Sequence, residues 1–76
     1  MIGTIIKNMR VEKGFSQKEL GRLLNLADTT ISSYERGNSQ PDFDTILMIF
    51  EICGYKIKLM DENGATHSLE ELSRER

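Results

Sequence analysis

Four helix-stopping residues, Gly14, Asn25, Gly37 and Gly54, divide the first 54 positions of this chain into segments of about a dozen residues. Between the stops, apolar residues recur at helical spacing. Ile2, Ile5, Ile6 and Met9 predict an amphipathic helix over 2–13. Ser16 and Glu19 form an S-x-x-E capping box that opens a second helix over 17–24, burying Leu20, Leu23 and Leu24. Leu26 leads into a third helix over 28–36, which turns Ile31 and Tyr34 inward. Asp42 caps a fourth over 43–53, whose Phe43, Ile46, Leu47, Ile49, Phe50 and Cys53 make it apolar over most of its surface. That helix is expected at the centre of the core, with Leu24, Ile31 and Phe50 among the most buried residues. The fold class is therefore mainly α, with four or five short helices.

After Gly54 the period changes. In "YKIKLM", residues 55–60, Tyr55, Ile57 and Leu59 face one way and Lys56 and Lys58 the other, which predicts a strand followed by a turn at "DENG". A second S-x-x-E pattern, Ser68 to Glu71, opens a short final helix with only Leu69 and Leu72 to anchor it. The chain thus divides into a helical domain over 1–54, a strand and turn over 55–64, and a loosely ordered acidic tail over 65–76. A lone strand leaves unpaired backbone groups along its edge. Either the same strand of a second subunit covers that edge about a twofold axis, burying Tyr55, Ile57 and Leu59, or the strand folds back on "ATHSL" as a hairpin.

With 76 residues there is room for one core, and a chain of this size buries only about 60 to 65% of its unfolded surface, so dimerisation would help. No apolar run approaches the roughly 20 residues of a membrane span, and "MIGTIIKNMR" does not read as a signal peptide. The single Cys53 fits a reducing cytoplasm. Net charge is −2, but residues 1–40 hold six basic against four acidic residues, and residues 41–76 hold four against eight. Contact with a polyanion needs local positive charge, which the first half supplies.

The stretch "LADTTISSYERGNSQP" builds a helix from β-branched and hydroxyl residues, which ordinarily weaken helices. Two short helices joined by a tight turn, with Gly21 where they cross most closely and Leu20, Leu24, Leu26, Ile31 and Tyr34 as apolar positions, describe a helix-turn-helix. "EKGFSQKELG", "ISSYERG" and the pattern P-x-x-x-T-I-L-x-I occur together over residues 6–54, and they resemble the XRE family of phage repressor and Cro-like regulators. The C-terminal strand resembles that of the HipB-type antitoxins.

The resemblance implies a repressor-like fold whose third helix enters the major groove of double-stranded DNA. Asp28, Thr29, Ser32 and Ser33 become the base-reading face, where short hydroxyl side chains let the helix come close to the bases. Gln17 at the start of the second helix, with Lys18, Arg36 and Asn38, is assigned to the DNA backbone. Arg10 and Glu35 match a family salt bridge between the first and third helices, with Arg10 as a further backbone contact. Ala27 stands where Ser or Thr usually caps the third helix. Asp28 then either caps it, leaving Thr29, Ser32 and Ser33 to read, or accepts from a cytosine amino group.

Nothing in the sequence suggests catalysis, a cofactor or a metal: His67 has no ligand at metal spacing and Cys53 no neighbouring base. The function expected is a cytoplasmic, sequence-specific regulator, a homodimeric repressor on a pseudo-palindromic operator. The alternative is an antitoxin that binds a protein toxin and represses its own operon.

Overall fold

The computed structural model describes residues 1–74. Helices α1 (Ile2–Lys13), α2 (Gln17–Leu24), α3 (Asp28–Arg36) and α4 (Phe43–Ile52) are followed by strands β1 (Lys58–Met60) and β2 (Thr66–Ser68) and a short helix α5 (Leu69–Leu72). The helix ends follow from local chemistry. Ser16 Oγ accepts from the Glu19 N–H at 2.9 Å while Glu19 Oε1 accepts from the Ser16 N–H at 2.9 Å, closing the capping box. Asp42 Oδ1 accepts from the Thr45 N–H at 2.8 Å. Asn25 takes a left-handed φ of 58°, which asparagine tolerates better than most side chains, and ends α2.

Ile6, Leu20, Ile31 and Ile49 are fully buried, one from each of the four helices, with Met9, Leu24 and Cys53 at the margin of the cluster. Both α3 and α4 pack against α1 and α2. The expectation that α4 forms the centre of the core does not hold. Its apolar residues run around the helix, and the face covered by the other helices buries only Ile49 and the adjoining Cys53. Phe50 is half-buried rather than central, and Phe43 is 61% exposed. Leu23 is 55% exposed, against expectation. The buried face of α2 is Leu20, Gly21 and Leu24, and at 100° per residue Leu23 lies roughly 110° from its centre.

The strand covers Lys58–Met60 only, not 55–60, and its partner lies in the same chain: Lys58 pairs with Ser68, Leu59 with His67 and Met60 with Thr66, antiparallel. The ladder is short because Ser68 is also the N-cap of α5, its Oγ accepting from the Glu71 N–H at 3.1 Å. Tyr55 and Ile57, assigned to a dimer strand, therefore lie outside the ladder; the Tyr55 hydroxyl donates instead to Glu12 of α1 at 3.1 Å. Residues 65–76, read as a loosely ordered tail, carry β2 and α5; positions 75 and 76 lie outside the described residues.

One residue ties this β1–β2–α5 arm together. His67 places Nε2 2.9 Å from Asp61 Oδ2 in the turn and Nδ1 2.9 Å from Glu71 Oε2 on α5. Glu71 thus turns to the imidazole, and the second S-x-x-E pattern is only half a capping box. A neutral ring can donate from one nitrogen alone, so two carboxylate partners favour the imidazolium. The bond to Asp61, then that to Glu71, raises the His67 pKa, and the same bond to His67 holds Asp61 below its usual value. The His67 contribution is complete below the ordinary imidazole value of about 6.5 and is lost as pH rises through the raised one. The Asp61 contribution is present above the ordinary carboxylate range and is lost as pH falls through its lowered value. Amide exchange of Lys58–Leu72 should therefore be slowest in mildly acidic solution and quicken on the alkaline side beyond the intrinsic base-catalysed rise, with α1–α4 unchanged. Equal behaviour in His67→Gln would refute the assignment.

Candidate nucleic-acid interface

The α2–turn–α3 unit is joined through main chain. The Leu26 N–H donates to the Gly21 carbonyl at 2.7 Å, and a Cβ on Gly21 would lie 2.6 Å from the Leu26 oxygen, so only glycine fits there. On the far side, Gly3 of α1 meets α3 as closely: a Cβ would lie 2.4 Å from the Tyr34 oxygen and 2.9 Å from that of Glu35. Sequence reasoning passed over Gly3. Its one signal is the cost of about 1 kcal/mol that glycine imposes inside a helix relative to alanine, which close packing explains.

A partly buried ion pair locks the same junction. Arg10 Nε donates to Glu35 Oε2 at 2.6 Å and Nη2 to Oε1 at 3.0 Å, while Nη1 donates to the Phe15 carbonyl at 2.8 Å. Side-chain exposure is 11% for Arg10 and 3% for Glu35. Burial works to raise the Glu35 pKa, but the hydrogen bonds from Arg10 and Gln17 outweigh it and hold the carboxyl below its ordinary value. All three guanidinium nitrogens are engaged inside the domain. Arg10 is thus a positioning residue, and a second N–H on each of Nη1 and Nη2 is not used by these bonds.

Gln17 is half-buried, and its Nε2 donates to Glu35 Oε1 at 3.1 Å. That leaves one of its amide hydrogens free, beside the open N–H groups of the first turn of α2. Lys18, next along, is exposed.

In α3 the helical period sets Ile31 inward, with Tyr34 and Glu35 beside it, and puts Thr29, Ser32, Ser33 and Arg36 on the opposite side. Thr29 and Arg36 are exposed, Ser32 and Ser33 half-buried. The N-cap is Ala27, with no side-chain cap; Asp28 lies inside the helix as its first residue, so the capping alternative for it is set aside. Ser33 Oγ shares a hydrogen bond of 2.8 Å with Ser39 Oγ, and the Ser33 carbonyl accepts from the Asn38 N–H at 3.0 Å. These bonds fasten the loop after Gly37, and the Asn38 on it, to the end of α3. Ser39 was not anticipated; nothing in its sequence position distinguishes it from other loop serines. Together α2 and α3 present short polar side chains, an exposed guanidinium and a helix N-terminus on one compact unit, chemistry suited to base edges and phosphates.

Comparison with known proteins agrees with this geometry. The sequence model of the helix-turn-helix family matches residues 6–59. The HTH-type transcriptional regulator ImmR of Bacillus subtilis (strain 168) is 38% identical over 48 residues, an alignment covering 63% of this chain and 38% of that protein. The chain thus spans little more than a third of the length of the relative it matches. It belongs to the XRE-type helix-turn-helix family.

Proposed function

We propose that this helix-turn-helix chain is a sequence-specific, DNA-binding transcriptional regulator acting in the cytoplasm as a homodimeric repressor. The observation that carries the reading is the outward side of α3: Thr29 and Arg36 are exposed there and Ser32 and Ser33 half-buried, on a helix whose inward side is clamped by Ile31 and the Arg10–Glu35 pair. Asp28, free of a capping role, joins them as an acceptor for a cytosine amino group. Gln17 and Lys18 at the N-terminus of α2, with Arg36 and Asn38 at the end of α3, hold the DNA backbone, which fixes register without reading sequence. Two such units about a twofold axis would engage half-sites about 34 Å apart on a pseudo-palindromic operator. Among the described residues no helix is long and apolar enough to cross a membrane.

Selection of bound duplexes from a random pool tests this directly. Thr29→Ala should change the preferred base at one position of each half-site, at a cost of about 1 to 3 kcal/mol on the original site. Arg36→Ala should weaken all sites alike and reduce the slope of log affinity against log salt by about one. An unchanged selected motif for Thr29→Ala would refute the assignment of α3 as the reading helix.

A further inference from the structure

Helix α4 has two apolar faces. One, centred on Ile49, closes the core. The other carries Phe43, Leu47 and Phe50 at i, i+4 and i+7, and these line a groove of about 660 Å³. Ile57, Leu69 and Leu72 form the opposite wall, from the segment before β1 and from α5. The arm thus stands off α4, leaving apolar surface on both walls in contact with water: Phe43 is 61% and Leu72 53% exposed.

We infer that this groove is the seat of a second copy of the chain, an inference that rests on reading the protein as a dimer and adds where the two copies meet. Charge chooses the occupant. Among the lining residues, Lys56 and Lys58 come from the arm, Glu51 from α4 and Glu70 from α5. None of these four is in an ion pair among the described residues. Two cations and two anions among the lining residues give a surface with no net charge, ill suited to a polyanion or to a strongly basic partner. The patch does suit its own copy, because a twofold axis can set the lysines of one subunit against the glutamates of the other.

The position is also compatible with the proposed activity. Thr29 and Arg36 are not among the residues that line the groove, so a subunit seated in it does not need them. The dimer contact moves from the strand expected at residues 55–60 to the groove that the hairpin creates with α4.

Sedimentation of the full chain at micromolar concentration tests the interface. The wild-type protein should be dimeric. Phe43→Glu and Leu72→Glu, both at exposed positions, should raise the dimer dissociation constant at least tenfold while leaving helical circular dichroism unchanged. A charge exchange separates an interface from a folding defect. Lys56→Glu/Lys58→Glu and Glu51→Lys/Glu70→Lys should each dimerise poorly alone, and should form heterodimers when mixed. A monomeric wild-type chain overturns the dimer reading and this inference with it. A dimeric wild type whose Phe43→Glu and Leu72→Glu variants also remain dimeric overturns the inference alone, as does a failure of the mixed charge variants to associate.

Discussion

Arg10→Met should destabilise the domain by about 3 to 5 kcal/mol, because it strands the Glu35 carboxylate at 3% exposure with one weak donor, the Gln17 amide, in place of a bidentate guanidinium. For a chain of 76 residues the total is on the order of 4 to 11 kcal/mol, so the variant should be largely unfolded near physiological temperature. The loss should come mostly from the buried charge left behind. Arg10→Met/Glu35→Leu, which removes both charges, should therefore recover most of the stability. Urea denaturation of the two variants distinguishes this from a simple loss of packing. A single variant that loses less than about 1 kcal/mol would show that water reaches Glu35 and that the pair does not hold the helices. The Gln17 amide shares the carboxylate, so the start of α2 should loosen with it.

Ile31→Ala should cost about 2 to 5 kcal/mol, since Ile31 is fully buried beneath the centre of α3 and the surrounding helices are too short to collapse into the space. Ile31→Val should cost roughly 0.5 to 1.5 kcal/mol. The comparison with Thr29 is informative, for the two residues are two positions apart and face opposite ways. Ile31→Ala should reduce DNA binding only to the extent that it unfolds the protein. Thr29→Ala should leave the unfolding midpoint within about 0.5 kcal/mol of wild type and alter which sequence is bound. Denaturation and binding measured on the same samples would separate the two.

Much of the helical frame can be read from residues in isolation because it depends on local chemistry. Ser16 with Glu19, Asp42 with Thr45 and the left-handed Asn25 act within a few positions of themselves, and α2 and α4 begin, and α2 ends, where those residues place them. The errors arise where several faces compete. Residues of α4 are apolar nearly all round, and nothing in that pattern says that only one face is covered from within the chain. Leu23 fits the apolar spacing of α2, yet Gly21 takes the inward place beside Leu20 and Leu24, because the helices cross there at main-chain distance. The hairpin is three residues long on each side, too short for alternation to fix its ends. The pairing of Arg10 with Glu35 spans 25 positions and was available only through the family resemblance.

The closeness of Gly3 to the end of α3 has a consequence for how such a protein can change. Where two helices touch through main chain, their separation does not depend on which side chains the outer helix carries. The seat of α3 is made by Gly3, Ile31 and Glu35, while Asp28 and Thr29 are exposed. Those two positions can therefore be exchanged together while the scaffold stays in register. A helix-turn-helix built this way can change its outer surface by rewriting a few letters, so that folding and the chemistry of that surface can evolve as nearly independent traits.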